Sequence, residues 1–418
     1  MSTLSRLAGR LRADRRCLLA CQVLCMVSPM LMPCLVPVVR YGDASDYVMM
    51  TASMVHDRDL LYDAGDLSRI LATRPQGTDY PAGMFLVRDH VRRLHVGGHS
   101  SVYSVMAAPF YLVFGFRGFG VLNGLLLGAA IWLVSRGIVG CRLWAWVWAW
   151  AGVCFSAAFD YAIWPTAETW LLFLSAAFLW SYRTRRLWLS GALLGMGAAS
   201  QAPMVMWSVL PLLDLVRGRV RPGDMARVGV AAVVMAAPQL AYNITTTGLL
   251  QPAWLDLQSR ARFLYYPFAF PGQPGFDRAA HTVAYARFTR PEFLSPGDLV
   301  SALVSPRMGL LWFYPLSALA VLRMWRERAG GGALVAAAMV LGAFCTAGQL
   351  SSHQVGLRYL NPVYAALLLG FRSFKWDRSE RLLLLLGLLL GITFLLFPRA
   401  NSNEIVALKA VPTALLYR

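Results

Sequence analysis

Apolar runs of bilayer-crossing length, separated by short connectors rich in arginine, recur from one end of this chain to the other. The first, CLLACQVLCMVSPMLMPCLVPVV at 17–39, exceeds the apolar region of a secretory leader, about 7–15 residues, and no small-residue cleavage site follows it. It reads as a retained span. A spanning helix needs about 20 apolar residues, and runs of that kind, several shorter on the page, fall at 17–39, 118–135, 143–158, 166–181, 187–202, 203–216, 226–245, 301–322, 332–349, 358–371 and 381–398. The expectation is an all-α polytopic membrane protein with about 11 transmembrane helices, one membrane domain over 1–418 with no separate soluble domain. Composition agrees: 57% of residues are hydrophobic and 14% charged, against about 25% charged in a soluble domain.

A net charge of +18 would fit nucleic acid if it were gathered on one surface. Instead the arginines sit in connectors: Arg6 to Arg16, Arg136 and Arg142, Arg183 to Arg186, Arg217 to Arg227, Arg323 to Arg328, and Arg372 to Arg381. That is the distribution of cytoplasmic loops, so the charge reports topology and argues against a nucleic-acid partner. All these clusters reach the cytoplasmic side when HSSVYSVMAAPFYLVFG, at 99–115, does not cross. The segment therefore reads as a juxtamembrane or re-entrant helix on the outer face, the alternative being a true crossing with a weaker charge rule. Two long outer loops result, 40–117 and 246–300, and they hold most of the acidic residues. Loops of that length are usually functional. The seven cysteines lie in or beside spans; Cys17, Cys21 and Cys25 share a helix face without the polar convergence a metal site needs, and read as packing.

RYGDASDYVMM, at 40–50, opens the first outer loop with Asp43, Asp46 and Tyr47 at helical spacing on one face. Asp43 fits either an N-cap or a catalytic carboxylate. In the second loop QSRARFLYYPFAFPG carries Arg260 and Arg262 among aromatics, suited to a lipid phosphate or to bulk headgroups. VSPRMGLLWFYP sets Arg307 at the mouth of a span, and HQVGLRYLNP sets Arg358 and Tyr359 at another. A charge there marks a site unless it snorkels to the interface. FDYAIWPTAETWLL puts Asp160 in a short outer turn and Glu168 just inside the next helix, where it also complements the helix dipole. No Walker loop, no GxGxxG before a soluble helix and no HExxH is present. With no nucleotide sugar available on the outer face of a bacterial membrane, an activated substrate would have to arrive there on a lipid.

The order of these features resembles that of the GT-C membrane glycosyltransferases, in the bacterial branch that includes protein mannosyltransferases and the lipid A aminoarabinose transferase. Their first loop opens Asp-Glu-x-x-Tyr and reaches a Gly-Asp. In GDASDYVMMTASMVHDRDLLY, Asp43 takes the Asp position and Tyr47 the Tyr, while Arg58 and Asp59 stand where Gly-Asp is usual. Ala44 replaces the second acid; Asp46 takes over part of that role, or that carboxylate is dispensable. The 99–115 segment is similar to a family helix that follows His-Pro or Lys-Pro, although His99 lacks the proline. SPRMGLLWFYP and GLRYLNPVYAALLLG resemble later family segments. The resemblance implies a GT-C fold and an inverting transfer from a polyprenyl-phosphate sugar to a hydroxyl of a glycolipid, polysaccharide or protein, at the outer face of the bacterial inner membrane. It implies Asp43 as base with Asp46 beside it, and Arg260, Arg262, Arg307 and Arg358 as candidates for the donor phosphate. Tyr47, Asp59, His99, Glu168 and Tyr359 are further candidates; membrane lipids surround the chain, no cofactor is expected, and a divalent metal is left open. A glycolipid flippase or transporter would carry ionisable groups near the midplane and often internal repeats, and an outer-face glycan polymerase shares the long loops; these are the alternatives.

Overall fold

The computed structural model describes residues 15–35, 44–73, 84–88, 95–138, 142–247, 261–264, 300, 303–305, 309–327, 330–346, 358–370, 374 and 376–396. Helix α1 (Arg15–Leu35) occupies the first apolar run. The first long loop then folds as α2 (Ala44–His56), β1 (Leu61–Tyr62), α3 (Ala64–Thr73), β2 (Met84–Arg88), β3 (His95–Gly97) and α4 (Val102–Phe114). Reciprocal hydrogen bonds start α3: the N–H groups of Gly65 and Asp66 donate to Asp63 Oδ1 at 2.7 and 3.0 Å, and that of Asp63 donates back to Asp66 Oδ2 at 3.1 Å. Two donors otherwise left over at a helix start are satisfied this way.

The bundle continues with α5 (Arg117–Gly137), α6 (Arg142–Cys154), the short α7 (Ala157–Asp160) and a 3₁₀ turn (Tyr161–Ile163), then α8 (Glu168–Arg183) and α9 (Leu187–Ser200). A second 3₁₀ segment (Ala202–Ser208), opened by Pro203, turns the chain into α10 (Val209–Val216), and α11 (Pro222–Thr247) follows. After strand β4 (Ala261–Leu264) come α12 (Leu310–Phe313), α13 (Ser317–Arg326), α14 (Gly331–Thr346), α15 (Leu360–Leu369) and α16 (Arg378–Leu396). Each apolar run is thus largely helical in its described part, but 143–158 breaks at Phe155-Ser156, 203–216 begins as 3₁₀, and 301–322 is divided: α12 ends before Tyr314-Pro315, because proline lacks the N–H a continuous helix would use.

The architecture is helical as expected, with one addition to the all-α reading: an antiparallel sheet of order β1-β3-β2-β4. Register pairs Leu61 with Val96, Val87 with Val96, and Phe85 with Phe263. Strand β4 belongs to the second long loop, so the sheet joins the two loops that flank the bundle.

Close helix packing rests on small residues spaced by four. A Cβ built on Gly128 of α5 would meet the Met26 carbonyl oxygen of α1 at 2.6 Å, and one on Gly124 would meet Met30 Cα at 2.8 Å. The same arrangement recurs where Gly191 and Gly195 of α9 face α11, and where Gly387 and Gly391 of α16 face Pro315 and Phe155. Without a hydrophobic driving force between helices in lipid, such backbone approach is the main source of contact.

The arginine-bearing ends gather at one end of this bundle. Arg183 Nη1 donates to the Leu369 carbonyl at 2.8 Å, and Arg185 Nη2 to the Arg219 carbonyl at 3.1 Å. Arg323 pairs with Glu380 at 3.1 Å and with Glu327 at 2.5 Å, while Arg326 pairs with Glu380 at 3.0 Å and with Asp377. Asp377 caps α16 and accepts the Glu380 N–H at 2.8 Å and the Ser379 hydroxyl at 2.7 Å, which hold its carboxyl down to about 2. Helix α4 stays away from that end. Its Tyr103 hydroxyl donates to Asn123 Oδ1 at 3.0 Å, and the Phe110 backbone lies against Gly118, so α4 folds back over the first turns of α5. Two described helices, Arg117–Gly137 and Pro222–Thr246, are long and apolar enough to cross a bilayer. Leu24 and Leu31 of α1, Val233 and Val234 of α11, and Leu385 and Leu389 of α16 are exposed on the bundle surface. In water that surface would promote association; against acyl chains it is the expected exterior.

Candidate active site

The end of the bundle opposite the arginines carries two buried polar clusters. The first begins at Asp46, in the opening turn of α2, where the residue has 0% exposure. A carboxylate so placed must be paired to stay charged. His99 Nδ1 stands 2.5 Å from its Oδ2, a charge-assisted hydrogen bond, and the Tyr62 hydroxyl lies 3.5 Å from its Oδ1 and 3.3 Å from its backbone carbonyl. Strand β3 delivers the histidine. A Cβ on Gly97 would come within 2.8 Å of the Tyr62 hydroxyl and 2.9 Å of Met50 Sδ, so glycine lets the strand end lie against α2, and His99 follows.

Aromatic rings and hydrogen bonds to three other helices hold this pair. The Tyr47 ring lies 5.3 Å from that of His99 and 5.4 Å, edge-on, from that of Tyr103. The Ser104 hydroxyl donates to the Tyr47 carbonyl at 3.1 Å. Asn123 accepts from Tyr103 and donates to the Trp164 carbonyl at 2.6 Å, tying α4 and α5 to the chain before α8. The Ser101 N–H and hydroxyl both donate to Gln239 Oε1, at 3.1 and 2.8 Å, and Gln239 Nε2 donates to Asn243 Oδ1 at 2.7 Å. The start of α4 is therefore anchored to α11.

The second cluster forms around Glu168, at the start of α8, and Arg358, just before α15. Their side chains are 8% and 13% exposed, with Oε1 and Nη1 3.4 Å apart. Arg358 Nη2 donates to the Tyr359 hydroxyl at 3.0 Å, and the guanidinium lies 5.0 Å from that ring's centre. Asp160 and Glu168 are within electrostatic reach of Tyr161 and Tyr314, and the Tyr314 hydroxyl donates to Asn361 Oδ1 at 2.8 Å. Burial, and then the charge of Glu168, push the Tyr103 hydroxyl well up, so Tyr103 is a neutral hydrogen-bonding group that links the two clusters.

Of the residues singled out in the sequence, Asp46, Tyr47 and His99 meet in the first cluster, and Glu168, Arg358 and Tyr359 in the second. Asp43, Arg260 and Arg307 lie outside the described residues, and of Arg262 the backbone in β4, paired with Leu86, is described. Asp59 closes the turn after α2, where its Oδ1 accepts the Ser53 hydroxyl at 2.9 Å and the Leu61 N–H at 3.1 Å. Arg58 beside it has φ 62°, a conformation glycine adopts without strain, at the position where the resembling family carries glycine. Sequence reasoning missed Tyr62, Asn123, Gln239, Asn243, Tyr314 and Asn361. The available signal was a polar side chain inside an apolar run, as in GVLNGLLL and AAPQLAYN. Among the described residues no three His, Cys, Asp or Glu side chains converge as metal ligands.

No protein-family model matches the chain, and no curated protein does. It is similar to ArnT from Cupriavidus metallidurans bound to undecaprenyl phosphate, with 12% identity and a TM-score of 0.44 over 96% of this chain and 62% of that one. It is also similar to the Archaeoglobus fulgidus oligosaccharyltransferase in the apo form, with 13% identity and a TM-score of 0.46 over 93% of this chain and 56% of that one. The same oligosaccharyltransferase tethered to an acceptor peptide gives 13% identity and a TM-score of 0.42, over 93% and 55%. The chain spans between 55% and 62% of the length of these structures.

Proposed function

We propose that this chain is an inverting GT-C-type glycosyltransferase, moving a sugar from a polyprenyl-phosphate donor to a hydroxyl of a glycolipid, polysaccharide or protein at the outer face of a bacterial inner membrane. The observation that carries the reading is the buried Asp46–His99 pair. A carboxylate fixed with no exposure beside an imidazole, at the end of the bundle remote from the arginines, is costly for stability and useful for chemistry. It lies on the helix that begins one residue after Asp43, where the family resemblance has its base.

In this mechanism the acceptor oxygen attacks the anomeric carbon as the bond to the donor phosphate breaks on the opposite face, which inverts the centre. The acceptor proton passes to Asp43, and the bonding electron pair leaves with the polyprenyl phosphate. Asp46 is committed to His99 and orients its imidazole. The charge that grows on the leaving phosphate is met by cations; Arg358 is the candidate already lodged among the site residues, with Arg260, Arg262 and Arg307 as the others.

The test is sugar release from purified protein in detergent over a panel of polyprenyl-phosphate sugars, with Asp43→Asn as the paired control. Turnover that depends on Asp43 names the donor class and the mechanism together. Saturable lipid binding by both proteins without turnover under any acceptor would sink the transferase and favour a glycolipid transporter. Sidedness has its own check. Cysteines substituted for Arg136 and Arg185, in a background freed of native thiols, are expected to react with an impermeant reagent only from the cytoplasmic side. Labelling from outside would overturn the topology.

A further inference from the structure

The ion pair between Glu168 and Arg358 is incomplete. A buried carboxylate and guanidinium built to stay together usually meet in a two-point fork with contacts of about 2.7–2.9 Å. Here Oε1 and Nη1 stand 3.4 Å apart, and Glu168 Oε2 is buried with no hydrogen-bond partner among the described residues. Leaving such an oxygen unsatisfied costs free energy that a fork would recover. Arg358, by contrast, is steadied independently of Glu168 by the hydroxyl and ring of Tyr359. A second buried atom is in the same position as Oε2: Asn361 Nδ2, whose residue is joined through Tyr314 to this cluster, has no hydrogen-bond partner among the described residues.

We propose that Glu168 is a place-holder for the donor phosphate. In the empty site it neutralises Arg358; when the carrier lipid arrives, the phosphate takes the guanidinium and the freed carboxylate accepts a hydrogen bond from a hydroxyl of the attached sugar. This rests on the transferase reading and adds to it a division of labour, with Arg358 for the phosphate and Glu168 for the sugar. The physical case has three parts. A buried guanidinium with no anion is strongly unfavourable, so a site that releases an anionic product each cycle needs another anion in reserve. A phosphate offers several oxygens to the guanidinium fork and outcompetes a single oxygen at 3.4 Å. The unsatisfied acceptor on Glu168 Oε2 is the function a sugar hydroxyl can meet, because a hydroxyl has a proton to donate.

The test compares binding of undecaprenyl monophosphate, without sugar, to wild type, Glu168→Gln, Glu168→Asp and Arg358→Gln in detergent, alongside turnover of the sugar-linked donor and thermal stability. With the competing charge removed, Glu168→Gln is expected to bind the bare carrier about tenfold more tightly and yet turn over the sugar-linked donor more slowly. Arg358→Gln is expected to bind it about tenfold more weakly. Should Glu168→Gln fail to fold, Glu168→Asp keeps the charge but shortens its reach, and a smaller tightening is expected. A merely structural pair gives the opposite result: both Glu168 variants lose stability and bind the carrier no better than wild type. That outcome, with wild-type turnover intact, overturns the exchange and leaves the transferase standing. Failure of wild type to bind the carrier at all removes both.

Discussion

Asp43→Asn and Asp46→Asn are each expected to fold as wild type does and to lose turnover by a factor of about 10²–10⁴, whereas Asp63→Asn keeps it. The reasons differ at the three positions. At Asp43 the change removes the base to which the acceptor proton passes. At Asp46 the amide keeps the shape and can still accept a hydrogen bond, so the loss isolates the negative charge that stands 2.5 Å from His99. Asp63 caps α3, asparagine caps nearly as well, and the expected cost is at most a few tenths of a kcal/mol of stability. The pair can be tested as a unit by a double-mutant cycle with His99→Gln. If Asp46 acts through His99, the double variant loses no more than the worse single one. Losses that multiply would mean two independent roles, and equal losses at Asp43, Asp46 and Asp63 would mean a structural acidic cluster.

What could be read in advance follows from how local each signal is. Span positions are written in contiguous composition, and α1, α5, α8 and α16 lie where the apolar runs fall. The arginine connectors anticipated that those ends come together, and α4 packs apart from them, over the start of α5. The sheet left no such trace, because β1 and β3 are two and three residues long and β2 pairs with a strand from the other long loop. Asp46 and Tyr47 were visible as an acid and a phenol after the first span, but nothing in the spacing tied either to His99, 53 residues from Asp46. The absence of a proline after His99 even weighed against it. Glu168 and Arg358 each carried a bland local account, a helix-start carboxylate and a snorkelling arginine. Only their meeting across the two halves of the chain replaces those accounts with a buried ion pair.

Gly195→Leu is expected to prevent stable assembly, and Gly195→Ala to lower stability by about 1–3 kcal/mol, both measured as thermal unfolding in detergent. A Cβ on Gly195 would lie 2.8 Å from the Ala232 Cα and carbonyl carbon and closer still to the carbonyl oxygen; one on Gly191 would lie 2.9 Å from the Val228 carbonyl carbon. These are backbone atoms within α11, and they cannot turn aside as a side-chain tip can. The two helices would have to part. Gly229 is the internal control, since it sits on the same α11 but a Cβ there meets nothing within 4 Å. Gly229→Ala removes a flexible residue from a helix interior and is expected to stabilise by about 0.5–1 kcal/mol. Equal effects at the two positions would refute the close-packing account. The consequence reaches the site, because α11 also carries Gln239, which accepts both hydrogen bonds from Ser101 beside His99. Moving α11 to admit one methyl group shifts the anchor of α4. Gly195→Ala is therefore expected to lose turnover at temperatures where it is still folded, while Gly229→Ala is not. A Gly195→Ala protein that unfolds earlier but turns over normally below its transition would show that α11 packs against α9 without positioning the site.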